Sequence, residues 1–431
     1  MVELLVSLNI NFSFDSEFTV FDLVNEIKNL EIEKVLAGLF IEKYDEMIVT
    51  AFCGEKYAHN KEEPYDRAGN GSRTIVTKVG ELKLKPSKIK DNVTGEVFKP
   101  VLSFLGVEPY KRYSDDVSFT CVDVATKSTY RDAKYILENF FDKVMSPSTI
   151  NRRVKELGVE IKDFVKNKTK NLGEEYEYLW ADGTKSHSQE SRSKNDIKVA
   201  ITTNDKGEKV LLSCNVNKSW SVLNEEIVDL DVLKSDAVLI SDAEAGLRKS
   251  IVNGEMGFQL DFIHFIRDIG YKLWNDGKLD LDTRKKIKSL VEEIIYKLKN
   301  QCIKYGEDTK ILREKVNEAV DRLKDFCVLL EELCCFDAAR FVKKYSNHVV
   351  TFAMLKCEGR DIPWNSNIIE RLMGEIQKRC KHKWMRWTTD GQEAMLNLIL
   401  TRYINPEYYE EFKSNKLKTN KTPKIKAIIT T

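Results

Sequence analysis

The sequence predicts a mixed α/β protein with large helical additions, and three observations lead to that class. Short apolar and β-branched runs alternate with helical segments between residues 173 and 269. Charged segments with apolar residues every three or four positions follow over residues 270–345 and indicate long paired helices. Helical segments and a small group of strands precede both. With 431 residues, 42% of them hydrophobic, the chain can bury more than one core.

The composition excludes several classes of protein. The 69 Lys and Arg nearly cancel the 68 Asp and Glu, so attraction to nucleic acid has to come from local patches. Apolar runs fall short of the roughly 20 residues of a membrane span, and the acidic N-terminus does not resemble a signal peptide. The nine cysteines are scattered without metal-site spacing, which argues against a disulfide framework or a zinc site. We expect a cytoplasmic protein.

The first 110 residues predict helices followed by a small β element. Residues 19–47 alternate apolar and charged positions at helical spacing, which is typical of an amphipathic helix or helix pair. Residues 66–102 contain β-branched runs separated by Gly, Pro and Asn-Val-Thr-Gly, which predict a small antiparallel sheet. The basic residues of this sheet fit a solvated strand face better than a DNA surface.

Residues 111–172 predict a helix-turn-helix region. Ser128-Thr129 can cap a first helix, Ser148 can cap a second, and Gly158 can end it, with a charged linker helix over 159–177. Such a pair fits a DNA-binding helix-turn-helix, although a plain helical hairpin has the same local pattern. In the DNA-binding alternative, the contacts come from polar and basic residues that open the second helix: Thr149, Asn151, Arg152 and Arg153.

The order of elements from residue 173 onward is the one that a ribonuclease-H-like catalytic core requires. Three strands form a meander, and two further strands then alternate with helices, the last being "FQLDFIHFI". We expect a mixed sheet with flanking helices over residues 173–269 and 346–405. The helices of residues 270–345 interrupt it as an all-helical insertion. Residues 406–431 are lysine-rich and predict a basic tail.

Three acidic residues fall where such a core would bring carboxylates together. Asp182 is predicted to end the first strand, Asp242 to end the buried strand "AVLIS", and Glu370 to lie on the first turn of a later helix. Carboxylates that converge can hold two divalent cations, which suit an in-line phosphoryl transfer. We therefore expect a binuclear metal site built from these three residues.

Each acid also has a purely structural interpretation. The Asp182-Gly183 pair could form a hairpin turn, Asp242 could cap the following helix, and Glu370 could close a capping box with Asn367. Glu244 is an alternative ligand that should point elsewhere, because it lies two residues into the predicted helix. Separate structural roles do not explain why all three acids occupy the positions at which a ribonuclease-H-like core carries its catalytic carboxylates.

The motifs around these acids resemble those of Mutator-like transposases and their prokaryotic insertion-sequence relatives. "SNIIERLMGEIQKRCKHKWMRW" is similar to their third catalytic block, "ISDAEAGL" to their second-aspartate block, and "DFIHFIRD" to the block that follows it. The similarity extends in patches over residues 113–390. It implies that the metals are carried by Asp182, Asp242 and Glu370. Three further residues would border the site: Asp261, His264 and Asn367.

Two features depart from the family pattern. Ala243 replaces the usual glycine after the second aspartate, and "WADGTKSH" differs from the commonest first block. Asp182 therefore matches the family pattern least closely of the three acids, and its few competitors are Glu175 and Glu177 on the same strand and Asp196 at the start of the next.

His264 and a basic run complete the predicted site. His264 lies on a predicted apolar strand, where a structural and a functional role are equally compatible with the sequence. The basic and aromatic run after Glu370 has the composition of a DNA groove, although a solvated helix end would look similar. The predicted DNA contacts are Arg371, Lys378, Arg379, Lys381, Lys383, Trp384 and Arg386, with Trp387 as a further stacking surface.

Together these features predict a DDE transposase that hydrolyses a DNA strand and joins the freed 3′-hydroxyl to target DNA. We expect two Mg²⁺ ions, with Mn²⁺ as a substitute, and double-stranded DNA of the element ends and the target as partner. Two DNA ends must be held at once, so a homodimer or larger assembly is expected. The alternatives are a catalytically inactive DNA-binding regulator and a ribonuclease-H-like nuclease without strand transfer.

Overall fold

The computed structural model describes residues 19–55, 64–204, 206–244, 246–382 and 385–417. They form two compact units, one ending at Arg153 and rejoined by the chain from Asn415, the other spanning Val154–Ser414. Helices and a mixed sheet together confirm the predicted mixed α/β class. Within the described ranges, no helix is both long enough and apolar enough to cross a membrane.

The first unit combines helices with short antiparallel strands. The predicted antiparallel pairing is present, with β1, β4 and β5 in one sheet and β2 and β3 in a hairpin. Its elements are α1 (Val20–Asn29), α2 (Ile32–Cys53), β1 (Tyr65–Asn70), β2 (Arg73–Thr77), β3 (Gly80–Leu84), β4 (Ser87–Asp91), β5 (Val97–Phe98), α3 (Pro100–Phe104), α4 (Asp115–Ala125), α5 (Tyr130–Leu137) and the start of α6 (Pro147–Lys170).

The predicted helix pair of residues 111–172 corresponds to α5 and α6. Thr129 caps α5, since its hydroxyl accepts a hydrogen bond from the Asp132 amide at 3.1 Å. The predicted Ser148 cap is wrong, because α6 already begins at Pro147 and the Ser146 hydroxyl accepts from the Thr149 amide at 3.2 Å. Proline suits the first position of a helix, where its missing N–H costs no hydrogen bond.

The second unit is organised around a five-stranded mixed sheet in the order β10-β9-β6-β7-β8. The first three strands form an antiparallel meander, and β9 and β10 add in parallel on the other side of β6. The sheet and the helices between its strands comprise β6 (Tyr176–His187), β7 (Lys194–Thr203), β8 (Lys209–Val216), α7 (Trp220–Leu230), β9 (Leu233–Ser241), α8 (Leu247–Ile251) and β10 (Gly257–Leu260).

Helices make up the rest of the second unit, and those of residues 262–356 share the core of the sheet. Leu239 of β9, Phe265 and Leu323 belong to one continuous cluster of buried side chains, so the sheet and these helices are packed as a single body. The remaining helices are α9 (Phe262–Asp276), α10 (Leu281–Lys304), α11 (Thr309–Glu332), α12 (Phe336–Val349), α13 (Thr351–Lys356), α14 (Asn367–Cys380), α15 (Thr389–Ile404) and α16 (Pro406–Leu417).

Strand β6 runs past the point where the sequence predicted its end. Asp182 pairs with Val199 of β7, and the pairing continues to His187 opposite Lys194. The interpretation of Asp182-Gly183 as a hairpin turn is therefore wrong, and so is the expectation that Asp182 ends the strand. Pairing with β7, which the local sequence does not encode, extends the strand through this dipeptide.

The predicted strand of residues 258–266 ends early. Only the residues up to Leu260 are paired, and α9 begins at Phe262, so His264 lies on a helix. The Asp261 side chain causes the change, because its Oδ1 accepts a hydrogen bond from the His264 amide at 2.9 Å and so caps the helix.

The predicted basic tail also begins with ordered structure. Residues 406–417 form α16, in which Tyr409 and Phe412 are buried. Phe412 packs against Phe164 of α6, with ring centroids 5.6 Å apart. Burial of these aromatic rings explains why the first part of the predicted tail forms a helix. Residues 418–431 lie outside the described part of the chain.

Gly158 does not end its helix as predicted, because α6 continues to Lys170. A Cβ at position 158 would lie 2.3 Å from the carbonyl oxygen of Ala394 in α15. The Asn397 side chain also donates to the Gly158 carbonyl oxygen at 3.2 Å. Glycine is therefore required here by close backbone contact between two helices.

We predict that Gly158→Ala lowers the free energy of unfolding by about 1–3 kcal/mol, since the added methyl group forces α6 and α15 apart. The matched control is Gly374→Ala in α14, where the new Cβ would have no atom within 4 Å apart from those of its chain neighbours and its own helix backbone. That change should be neutral or stabilise by about 0.5–1 kcal/mol, because alanine favours a helix. Urea unfolding measures both, and equal effects would contradict the proposed contact.

Candidate catalytic site

Asp182, on β6, and Asp242, just after the end of β9, lie at the same level of two neighbouring parallel strands. The register pairs Leu179 with Leu239 and Trp180 with Ile240. Continued by two residues, the same register sets Asp182 opposite Asp242, which directly follows the end of β9. Both strands are buried up to this point, so the apolar packing of the sheet holds the two acids side by side.

Electrostatics indicate that Glu370 belongs to the same group. Burial raises the pKa of Asp182 to about 7, against a hydrogen bond from the Gly183 amide at 2.7 Å that lowers it. The negative charges of Asp242 and Glu370 raise this pKa further, and His264 lowers it. Like charges act on a carboxyl pKa in this way only when they are close. Asp182 is therefore a buried acid with two other acids close enough to act on its charge.

The structural alternative for Asp242 is wrong. Its Oδ1 accepts from the Glu244 amide at 3.1 Å, a local loop contact, whereas α8 begins only at Leu247. Glu244 precedes this helix rather than lying inside it, and its carboxylate accepts from the Trp220 indole at 2.8 Å. Glu244 also lies 3.8 Å from the Cβ position of Gly183. Neighbouring residues of a strand face opposite ways, so Glu244 is directed toward the face of β6 opposite to the Asp182 side chain.

Glu370 lies on the first turn of α14, as predicted from the sequence. Its amide donates to the Ser366 carbonyl at 3.0 Å, and the N-cap of the helix is Ser366. The capping box expected between Asn367 and Glu370 is wrong, because Asn367 is already inside the helix and its amide donates to Asn365 Oδ1 at 3.3 Å. The Glu370 side chain is 43% exposed, which leaves its carboxylate accessible.

Asp261 and His264 lie beside Glu370. The His264 ring is held between two acids, with Nδ1 3.3 Å from Asp261 Oδ1 and Nε2 3.4 Å from Glu370 Oε1. Burial alone would lower the pKa of His264, but the two carboxylates outweigh it and the pKa is raised. Burial would likewise raise the pKa of Asp261, but hydrogen bonds from His264 and Ser366 outweigh it, and the pKa is lowered. The group favours a charged imidazole beside a charged Asp261.

Sequence analysis missed Ser366. This residue is 3% exposed, and both its amide and its hydroxyl donate to Asp261 Oδ2 at 2.6 Å. Asn365, next to it, accepts a hydrogen bond from the Trp180 indole of β6 at 3.0 Å. The available signal was a serine immediately before a helix, a residue type that commonly occupies the N-cap.

The basic run after Glu370 is only partly at the surface. Arg379 and Trp387 are each 3% exposed, and the Arg379 guanidinium lies 4.8 Å from the Trp387 ring centroid. The Trp387 backbone pairs with the chain that follows β6, which explains its burial. The assignment of these two residues to a DNA surface is wrong. Four predicted contacts are exposed: Arg371, Lys378, Lys381 and Arg386. Lys383 and Trp384 lie outside the described residues.

The residues predicted to open a recognition helix lie on the first two turns of α6, in the first unit. Arg152 is exposed, while Thr149, Asn151 and Arg153 are half-buried, and Ile150 among them is fully buried. This alternation gives the helix start one packed side and one side open to solvent. The competing Asp196, at the start of β7, lies close to Lys198 and forms an ion pair with it.

We predict that Asp182→Asn stabilises the metal-free protein more at about pH 8 than at about pH 5. An ordinary aspartate is ionised above about pH 4, whereas Asp182 in the folded chain stays protonated up to about 7. Between these values the unfolded chain binds fewer protons, so stability falls as pH rises, and this loss is complete above pH 7. Neutral asparagine avoids that loss.

The gain from Asp182→Asn should therefore increase by about 2–3 kcal/mol between the two pH values, measured by urea unfolding with a chelator present. Asp321→Asn, at an exposed position of α11, is the control. A gain that is the same at both pH values would show that the pKa of Asp182 is not raised.

Comparison with known proteins agrees with the motifs noted in the sequence. The model of the family described as "Transposase, Mutator family" matches residues 19–409. The chain is also similar to the transposase for insertion sequence element ISRM5 of Rhizobium meliloti (strain 1021). The two are 25% identical over 300 residues, covering 59% of this chain and 72% of that protein. The resemblance stated from the sequence is confirmed, and the chain belongs to the Mutator family of transposases.

Proposed function

We propose that this chain is a DDE transposase of an insertion element, with Asp182, Asp242 and Glu370 as its catalytic acids. The observation that carries the proposal is the parallel register of β6 and β9, which brings Asp182 beside Asp242, and the charges of Asp242 and Glu370 both act on the pKa of Asp182. A buried carboxylate such as Asp182, whose charge is disfavoured by burial and by two further acids, is an unfavourable arrangement without a cation. The name of the ISRM5 relative supports the insertion-element role.

The donor set fits hard divalent cations. Carboxylate oxygens are the ligands that Mg²⁺ and Mn²⁺ prefer, and a cation would stabilise the charge of Asp182, which burial and, to a smaller extent, Asp242 and Glu370 disfavour. Asp182, Asp242 and Glu370 would hold two such ions. Bound there, the ions would activate the attacking oxygen and stabilise the leaving oxygen of an in-line displacement.

The proposed reaction has two steps of the same chemical kind. Water attacks a phosphorus atom of the DNA, the bond to the 3′-oxygen breaks, and a free 3′-hydroxyl and a 5′-phosphate result. That hydroxyl then attacks a phosphorus atom of target DNA and displaces another 3′-oxygen, so phosphodiester bonds are conserved in the transfer. No covalent bond to the protein is needed. The chain contributes a fixed arrangement of carboxylates. His264 contacts the Glu370 carboxylate and is itself held by Asp261, so these two residues orient Glu370.

We also propose that the second unit contains a ribonuclease-H-like core interrupted by a helical insertion. The antiparallel β6-β7-β8 meander, with β9 and β10 added in parallel, supports this assignment. In this proposal α10 and α11 form the body of the insertion. They are joined across their surfaces by ion pairs such as Lys297–Glu318 and Arg322–Glu293. The catalytic domain would then occupy residues 173–269 and 346–405.

Binding of DNA ends is proposed for the α5–α6 pair in the first unit, together with the exposed basic residues that accompany Glu370. Thr149, Asn151, Arg152 and Arg153 would contact one duplex, with the arginines on phosphates. Arg371, Lys378, Lys381 and Arg386 would contact DNA at the catalytic carboxylates. A homodimer or larger assembly would hold two ends at once.

We predict that the purified protein nicks DNA carrying the element ends in the presence of Mg²⁺ or Mn²⁺, and that Glu370→Gln reduces this activity by a factor of at least about 100. The loss follows because the amide keeps the shape of the side chain and removes its charge. Glu375→Gln is the matched control, since Glu375 lies on the same helix and pairs with Lys378. Asp182→Asn and Asp242→Asn should behave like Glu370→Gln.

The same assay separates the alternatives. Specific binding without nicking would favour a DNA-binding regulator. Nicking without joined products, measured with a target plasmid, would favour a nuclease. Glu375→Gln losing as much activity as Glu370→Gln would contradict the assignment of the catalytic glutamate.

We further predict that Arg152→Ala weakens binding to all duplexes similarly and lowers the slope of log affinity against log salt by about 1, as expected for one lost phosphate contact. Arg313→Ala, at an exposed position of α11, is the control. Binding is measured by fluorescence anisotropy at several salt concentrations. An unchanged slope would exclude Arg152 from the phosphate contacts.

A further inference from the structure

We propose that Ser366 and Asp261 form a positioning pair that sets the location of Glu370, and through it the cation affinity of the site. The inference rests on the proposed function and adds a residue to it that the acidic motifs do not include. It follows from three features: the buried hydrogen bonds of Asp261, the place of Ser366 at the start of α14, and the contact of His264 with Glu370.

Asp261 joins two helices that are far apart in sequence. Its Oδ1 accepts from the His264 amide at the start of α9, and its Oδ2 accepts from both the amide and the hydroxyl of Ser366. Asp261 is fully buried and Ser366 is 3% exposed, so water does not compete for these bonds. Hydrogen bonds to a buried carboxylate are short and strong, and here they fix the start of α14 against the start of α9.

The position of Ser366 determines that of Glu370. Ser366 is the N-cap of α14, and its carbonyl accepts from the Glu370 amide at 3.0 Å, so one helical turn connects the two residues. Asp261 also fixes His264, whose Nε2 lies 3.4 Å from Glu370 Oε1. The backbone and the side chain of Glu370 are therefore both oriented from Asp261, by two separate routes.

A third bond connects this arrangement to the strand that carries Asp182. The Trp180 indole donates to the Asn365 carbonyl at 3.0 Å, and Trp180 is 1% exposed. The chain leading into α14 is thus held at two consecutive residues. Asn365 is bonded to Trp180, two residues before Asp182 on β6, and Ser366 is bonded to Asp261. This attachment places the first turn of α14 at a defined distance from the β6 and β9 acids.

Asp261 is assigned a positioning role rather than that of a metal ligand. One ligand atom each of Asp261, His264 and Glu370 lie within 4.8 Å of one another, a spacing that a metal site could use. However, both oxygens of Asp261 already accept hydrogen bonds from Ser366 and His264, and the residue has no exposed surface. Coordination by Asp261 would require these bonds to break. Glu370, at 43% exposure, has no such restriction.

The test compares Ser366→Ala with Ser366→Thr in the full-length protein. Mn²⁺ binding is titrated calorimetrically without DNA, and single-turnover nicking is measured as a function of Mg²⁺ concentration. Ser366→Ala should raise the Mn²⁺ dissociation constant, and the Mg²⁺ concentration for half-maximal nicking, by about 10-fold, as is typical for loss of an outer-shell hydrogen bond. Threonine keeps the hydroxyl and should restore both values. Affinity for DNA should not change.

Thermal unfolding distinguishes positioning from general stability. If Ser366→Ala does not fold, Ser366→Cys, which keeps the size of the side chain and weakens the bond, provides the same comparison. A folded variant with unchanged Mn²⁺ affinity and unchanged Mg²⁺ dependence overturns the positioning role. So does Asp261→Asn abolishing Mn²⁺ binding while Ser366→Ala leaves it intact, since that result makes Asp261 a ligand. Absence of Mn²⁺ binding and nicking in the unmodified protein overturns the proposed function itself, and the inference with it.

Discussion

Parallel pairing of β9 with β6 is the interaction on which the rest of the site depends. It aligns two aspartates that are 60 positions apart in sequence (242 minus 182) at neighbouring points of the sheet. The strands are held together by buried apolar residues such as Leu179 and Leu239, so a shift of register would cost core packing as well as hydrogen bonds. An apolar core thus determines the separation of two charged groups that would otherwise repel one another.

Two buried carboxylates of the site, Asp261 and Asp182, differ in how well the protein stabilises their negative charge. Asp261 is fully buried, yet hydrogen bonds from Ser366 and His264 keep its pKa low. Within the part of the chain that the structure describes, Asp182 accepts a hydrogen bond from the Gly183 amide alone, and burial, together with the charges of Asp242 and Glu370, raises its pKa to about 7. Asp261, whose charge is stabilised, supports the structure, and Asp182, whose charge is not, is the one proposed as a cation ligand. This contrast, rather than the number of acids, distinguishes Asp182, a proposed ligand, from Asp261.

The helical segment between the two halves of the site is part of the same packed body. Ser366 lies 105 positions after Asp261, and the chain between them forms α9 to α13, whose buried residues join those of the sheet in one cluster. Because that cluster is continuous, the segment can return the chain to Asp261 with a defined geometry. Without such packing, loop closure over so many residues would leave the start of α14 poorly positioned.

The sequence by itself determined the features that depend on local pattern. Alternation and helical spacing predicted the mixed α/β class, the paired helices after residue 270 and the place of Glu370 on the first turn of its helix. The residues of the three motifs around the acids identified the family. Only the tertiary structure decided that β6 continues through Asp182, that His264 lies on a helix, that Arg379 is buried and that Ser366 contacts Asp261. Each of these depends on a partner distant in sequence or on a side-chain cap, and neither strand pairing nor burial is encoded by the spacing of nearby residues.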